Sequence, residues 1–226
     1  MSVQTDESAA RRKKARVASK RPRRRDPEGT RRKLLAAAKH EFAAKGLAGA
    51  RVNAIAARAR TNKQLVYHYF GSKEALYVAV LEDAYANFRA RETQLATRKL
   101  EPEQAVTQLT GLLFDSFRLL REEVAVIADE NIRQARHVRA STKIKMLHQP
   151  LILMMEDIVT RGEKSGVFRR GIDPVRLFIL LLSLSGVYIS NNHTLSAVFE
   201  RDLASPKELN AWRDFVTDFA LNALRP

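Results

Sequence analysis

Residues 55–76 read Ile55-Ala56-Ala57-Arg58-Ala59-Arg60-Thr61-Asn62-Lys63-Gln64-Leu65-Val66-Tyr67-His68-Tyr69-Phe70-Gly71-Ser72-Lys73-Glu74-Ala75-Leu76. Together with Val52, the residues Ile55, Ala56 and Ala59 fall at helical spacing and end at a short polar break, Arg60-Thr61. Asn62, a favoured N-cap residue, opens a second short helix to about Tyr69. Gly71 breaks the chain again, and Ser72 can cap a third, longer helix. A short helix, a tight turn and a second short helix make a helix-turn-helix, in which the second helix enters the DNA major groove while the first crosses the backbone. Its expected core is Leu35, Ala38, Phe42, Val52, Ile55, Ala56, Ala59, Leu65, Tyr69 and Phe70, which leaves the polar side of the second helix facing outward.

Upstream of this stretch, Asp26-Pro27 combines an N-cap acid with proline at the first helical position, and Gly46 stops the helix that follows. Downstream, helical periodicity predicts a long helix from Ser72 towards Lys99, a helix starting at Pro102, and another from about Glu122 to Arg136. From Ser141 to Lys164 the pattern either kinks at Pro150 or begins near it, and Gly166 ends it. Asp173-Pro174 opens an apolar helix to about Phe199, and Ser205-Pro206-Lys207-Glu208 opens the last one. No segment calls for a strand. The expected fold class is all-α, about nine helices: an arm over 1–25, a helix-turn-helix domain over 26–72 and a helical body over 73–226.

The net charge of +15 is concentrated at one end. Residues 1–25 carry ten Lys/Arg and two Asp/Glu, residues 26–75 ten and four, and residues 76–226 twenty and nineteen. A basic head on a neutral body is the layout of a protein that meets a polyanion at one end, because Lys and Arg displace counterions from phosphates. Residues 1–25 have almost no large apolar side chains and read as a disordered basic arm, either adding non-specific DNA affinity or serving as a solvated tail. With no cysteine there is no disulfide framework, thiolate metal site or cysteine nucleophile, which fits a cytoplasmic protein. No export signal is visible, and the apolar run Leu177 to Ile189 is shorter than the ~20 residues a bilayer needs, so it reads as a buried helix without a membrane partner. His40, His68, His137, His148 and His193 are scattered, and no phosphate loop, nucleophile elbow or metal-ligand spacing is present, so neither an enzyme nor a cofactor or metal is expected. A protein binding DNA without sequence choice is the remaining rival.

The run from Ile55 to Leu76 resembles the signature of TetR-family transcriptional regulators, and the match extends over about 50 residues from Thr30. Two features depart from it. Arg60 stands where a turn glycine is usual, and Ala50 where a threonine usually caps the first helix of the motif. Transferred position by position, the resemblance implies DNA contacts from Asn62, Lys63, Gln64, Tyr67, His68 and Lys73. Gln64 is suited to read adenine, and Lys63 either reads guanine or touches phosphate. Tyr67, His68 and Lys73 then anchor phosphates, and Arg51, Arg58 and Arg60 add backbone contacts.

The resemblance also implies a repressor released from a palindromic operator by a small-molecule effector, and a homodimer. Residues 174–199 and 206–224 support the dimer independently: Leu177, Phe178, Leu180, Leu181, Leu184, Val187 and Tyr188 occupy more than one helical face, as do Trp212, Phe215, Val216 and Phe219. Ser183, Ser185 and Gly186 would permit close approach of helices. The expected effector pocket lies among the body helices, with Phe88, Phe117, Asn131, Met155, Tyr188 and Asn191 as candidate lining. The polar run Tyr188 to Thr194 needs partners either from such a ligand or across the dimer.

Overall fold

The computed structural model describes residues 26–226, and the expected disorder of residues 1–25 lies outside the described residues. Ten α-helices follow in order: α1 Pro27–Gly49, α2 Val52–Arg58, α3 Lys63–Phe70, α4 Lys73–Thr93, α5 Pro102–Leu119, α6 Arg121–Ile132, α7 Arg136–Ala140, α8 Thr142–Ser165, α9 Pro174–Phe199 and α10 Pro206–Leu224. A 3₁₀ turn over Thr97–Lys99 links α4 to α5. Among the described residues there is no strand.

Most helix starts follow from local cap chemistry. Asp26 accepts from Gly29 N, Asn62 from Leu65 N, Ser72 from Ala75 N, Ser141 from Ile144 N, Asp173 from Val175 N and Arg176 N, and Ser205 from Glu208 N. Gly46 (φ +62°) ends the regular part of α1, and a Cβ there would lie 2.5 Å from Asp129 Oδ1. The expected single helix from Glu122 to Arg136 is in fact α6 and α7, because Gln134 and Ala135 take positive φ and turn the chain between them. Glu130 stabilises the new start, accepting from His137 N and Val138 N and pairing with His137 Nδ1 at 2.8 Å. Pro150 lies inside a continuous α8, so that helix neither starts nor breaks there. Met146, whose carbonyl loses a donor to the proline, is exposed and can be solvated.

The helices close on two cores. The first joins Leu34, Ala38 and Phe42 of α1, Ile55 and Ala56 of α2 and Val66 of α3 to Leu76, Tyr77, Val80 and Leu81 of α4, and it takes in Val126 of α6 and Ile144 of α8. The second joins Val106, Leu109 and Leu113 of α5 to Met155 and Ile158 of α8, Leu177 and Leu181 of α9, and Ala220 and Leu224 of α10. Of the small residues of α9, Gly186 permits a close approach within the chain, since a Cβ there would meet Phe117 Cζ at 2.6 Å, whereas Ser183 is exposed.

The helix expected from Pro174 to about Phe199 is present as α9, but its apolar stretch is longer and far less buried than the run Leu177 to Ile189 was expected to be. It runs for 26 residues, long and apolar enough by length and composition to cross a bilayer, and only 28% of its most apolar stretch is buried. Its inner face is held by α10, where Trp212 stacks on Tyr188 at 4.5 Å and donates Nε1–H to Leu184 O at 3.1 Å. Its outer face, from Val175 through Ile179, Ser183, Val187 and Asn191 to Val198, is open, as are Phe215 and Phe219 of α10.

Two carboxylates fasten the helix-turn-helix segment to the body, and a third, Glu41, ties α1 to the start of α2 within that segment. Asp129 of α6 accepts from Leu47 N at 3.0 Å and from the buried Tyr77 hydroxyl at 2.9 Å, and it pairs with Arg133. Glu123 of α6 holds Lys39 of α1 and Asn87 of α4. Glu41 accepts from Arg51 N and from Lys45. Burial opposes the charge on Asp129, but Arg133, the Leu47 amide and Tyr77 outweigh it and hold the carboxyl below its ordinary value. A carboxyl depressed in the folded state stabilises the fold above its unfolded pKa of 3.8 and stops doing so as pH falls through the folded value. Urea unfolding should therefore find Asp129→Asn less stable by about 1–3 kcal/mol at pH 7. The gap to the wild-type chain should narrow only below about pH 4; a gap that instead widened in acid would refute this role.

Candidate nucleic-acid interface

The motif expected from the sequence is present, with α2 packed across α3. Val66 of α3 is buried in the first core, with Tyr69 and Phe70 packed against it. The other side of α3 exposes Lys63, Gln64, Tyr67 and His68, with Tyr67 at 39% exposure. Lys63 Nζ lies 5.6 Å from the centre of the Tyr67 ring, which gives that face a preset cation and aromatic pair. His68 packs edge-on to Tyr69 at 5.4 Å, and Arg31 lies over Phe70 at 5.2 Å. Alongside, Pro27 and Thr30 at the start of α1 form a groove of ≈ 580 Å³ with Asn62, Gln64, Leu65, His68 and Tyr69.

The remaining candidates sit around this face with differing freedom. Arg51, Arg58 and Arg60 are exposed. Asn62 uses its carbonyl to cap α3 at 2.9 Å, so only its amide nitrogen is available for an outside contact. Lys73 reaches back to Ala48 O at 3.4 Å, which makes it a brace between the start of α4 and the end of α1 as well as a cation. The N-cap of α2 is Arg51, which makes no side-chain cap bond, and its own N–H is taken by the buried Glu41 carboxylate at 3.2 Å. Lys45 holds that carboxylate below its ordinary value against the opposing effect of burial. Periodicity did not single out Glu41; its signal was an acid on the buried stripe of α1 that also carries Leu34, Ala38 and Phe42.

Arg60 adopts φ +53° in the turn, the left-handed conformation that a glycine takes without steric cost. The turn is closed by Arg60 N to Ala57 O at 3.0 Å and Thr61 N to Ala56 O at 2.9 Å.

A second site lies in the body. A cavity of ≈ 410 Å³ is lined by Tyr85, Phe88 and Arg89 of α4, Phe117 of α5, Val124, Ile127, Ala128 and Asn131 of α6, His148 of α8, and Phe178 and Leu182 of α9. It brings together Phe88, Phe117 and Asn131 of the candidate lining. The other three lie elsewhere: Met155 is buried in the second core, the Tyr188 hydroxyl donates to Leu203 O at 2.9 Å, and Asn191 lies on the open face of α9. Arg89 was not anticipated. It forms part of the boundary with a neighbouring cavity of ≈ 380 Å³ that also exposes Glu92, Leu147 and Met154. Burial lowers the His148 pKa, and its Nδ1–H donates to Ile144 O at 2.8 Å, leaving Nε2 as an acceptor.

Comparison with known proteins agrees with this architecture. Residues 34–80 match the family described as bacterial regulatory proteins, tetR family, and residues 102–219 match the tetracyclin repressor-like C-terminal domain. The chain is 35% identical over 196 residues to the HTH-type transcriptional repressor NicS of Pseudomonas putida, covering 87% of this chain and 92% of that one. It is 55% identical over 58 residues to the HTH-type transcriptional repressor SCO4008 of Streptomyces coelicolor, covering 26% of this chain and 30% of that one. The crystal structure of the transcriptional regulator SCO4942 from Streptomyces coelicolor superposes with a TM-score of 0.66 at 29% identity, over 87% of this chain and 99% of that one.

Replacing Arg60 by glycine removes the left-handed strain at the turn. Arg60→Gly should raise the stability of the chain by about 0.5–1 kcal/mol in urea unfolding, the steric relief exceeding the entropy that glycine loses on folding. A loss of stability would show that the arginine side chain holds the turn.

Proposed function

Since the chain belongs to the TetR family and is a DNA-binding transcriptional regulator, we propose that it works in the cytoplasm as a homodimeric repressor released from a palindromic operator by a small-molecule effector. The observation that carries this reading is the two-sided α3: Val66 locks one side into the core while Lys63, Gln64, Tyr67 and His68 stand in solvent on the other. Residues 26–72 are the reading head and residues 73–226 the sensing and dimerising body.

In the major groove, the Gln64 amide reads an adenine edge through paired donor and acceptor, and Lys63 adds a guanine or phosphate contact. Tyr67, His68 and Lys73 hold phosphates, and Arg51, Arg58 and Arg60 extend the backbone contacts. The amide of Asn62 completes the set at the N-terminus of α3, where the helix dipole favours a phosphate. Two heads are required for a palindrome, and the open apolar stripe on α9 and α10 supplies the means. Val187 is 60% exposed and Phe215 58%, and a second copy related by a two-fold axis would cover both with the same surface. Asn191 and Thr194 in that stripe then pair across the axis.

The effector enters the cavity beside α4. A ligand that fits one position of α4 better than another shifts the population of the two, and the difference in its affinity for them sets how far operator binding falls.

Three results test this proposal. Selection of bound duplexes from a random pool should return a palindrome with half-sites about 34–36 Å apart. Gln64→Ala should relax the preference at one base of each half-site, at a cost of about 1–3 kcal/mol. Recovery of no preferred sequence would instead favour DNA binding without sequence choice. In the body, Val187→Arg places a charge in the proposed two-fold contact. Sedimentation should find this variant monomeric and still helical, with operator affinity lost; a dimer of unchanged stability would rule out α9 as the interface.

A further inference from the structure

Arg89 and Glu92 are buried side by side on α4, at 7% and 1% exposure. Arg89 Nη1 lies 2.8 Å from Glu92 Oε2. The pair is close in charge but poorly made in geometry: Arg89 Nε and Nη1 and both Glu92 carboxylate oxygens have no hydrogen-bond partner. A buried guanidinium whose donors are unfilled is costly, and what completes it best is a carboxylate accepting two parallel N–H bonds. The guanidinium is held in place, 5.5 Å over the Phe178 ring, and lines the ≈ 410 Å³ cavity. Among the residues lining that cavity Arg89 alone carries a fixed charge, since burial keeps His148 neutral. The walls are aromatic: Phe88 meets Phe117 edge to face at 5.9 Å, and Tyr85 meets His148 at 5.2 Å.

We propose that the body cavity binds a small aromatic monocarboxylate whose carboxylate takes the Arg89 guanidinium from Glu92. This rests on the reading of the body as an effector-binding domain and names the class of effector. A cavity of this size lies near the lower end of the ~300–1,000 Å³ usual for small ligands, which fits one or two rings. Flat rings suit edge and face contacts with Phe88, Phe117 and Phe178, and a single guanidinium matches a single negative charge. Glu92 acts as a stand-in for the ligand carboxylate in the empty site. Burial already pushes its carboxyl up to about 7 in spite of the adjacent guanidinium, so on displacement it can take up a proton and remain buried without an uncompensated charge.

The test uses the full chain with 2-naphthoate and its neutral counterpart 2-naphthamide, measured by isothermal titration. The wild-type chain should bind the carboxylate at least about tenfold more tightly than the amide, because a site built for one polar group rejects an analogue that lacks it. Arg89→Gln should abolish that ratio. Glu92→Gln removes the internal competitor and should tighten the carboxylate severalfold, which separates a ligand anchor from a merely structural ion pair, for which both substitutions would weaken binding. Equal binding of the two compounds, a preference that survives Arg89→Gln, or no carboxylate binding by either the wild type or Glu92→Gln would overturn the proposal. If Arg89→Gln fails to fold, the direction of the Glu92→Gln change decides. Addition of the selected operator duplex distinguishes the two readings. Naphthoate that binds through Arg89 and leaves the duplex bound sinks the effector role and keeps the anion site, whereas release by naphthamide in Arg89→Gln keeps the effector role and sinks the anion site.

Discussion

The structure depends on α4 belonging to two places at once. Its first three turns place Leu76, Tyr77, Val80 and Leu81 in the core of the DNA-binding head, and its last turns carry Phe88, Arg89 and Glu92 beside the body cavities. At 1.5 Å per residue its 21 residues span about 30 Å, and a helix of that length packed on both sides moves as a rod. The head cannot turn independently of it, because Tyr77 is also fixed by Asp129 of α6, and Asp129 in turn holds the end of α1. Anything that shifts the far end of α4 therefore acts on the orientation of α3 through packed side chains and buried polar contacts.

What could be read from the sequence was mainly local chemistry. Asp26, Asn62, Ser72, Asp173 and Ser205 each accept the amide bonds their residue types promise, because a cap is decided within three or four residues. The helix-turn-helix was legible for the same reason, whereas the conformation of Arg60, standing where a turn glycine is usual, was settled only by its φ of +53° in the structure. The division between α6 and α7 was not, since nothing in Gln134-Ala135 favours the left-handed region. That turn is held by the buried Glu130 carboxylate, four residues upstream, taking the amides of His137 and Val138. A bond that reaches seven or eight residues along the chain falls outside both cap spacing and helical periodicity, and leaves no such trace.

The body site divides along the same line. Phe88 and Phe117 could be nominated because aromatic residues on the inner faces of helices in a bundle meet somewhere in the middle. Tyr188 met the same description but stacks on Trp212, and Met155, a flexible apolar candidate, is taken up by the second core. Composition and spacing cannot tell a wall from a filling. The signal that was present and unused lay in charge: Glu92 continues the buried stripe of Leu81, Ala84 and Phe88, where an acid has no structural reason to be unless something cationic accompanies it.

That misplaced charge bears on how a regulator of this kind could be built. A well-bonded ion pair would leave the guanidinium nothing to gain from a ligand, and an apolar pair would offer a ligand nothing to compete for. The Arg89 and Glu92 contact lies between these: close in charge, yet with its hydrogen bonds unmade. Free energy left uncollected in the empty state is available to a ligand that completes the guanidinium. Because both residues belong to α4, that gain is delivered to the helix whose opposite end lies in the core of the reading head. Coupling between sites requires a ligand whose contacts differ between two states of one element. A guanidinium on α4 set against cavity walls from α5, α6, α8 and α9 meets that requirement, because a ligand held by both senses where α4 lies relative to the others.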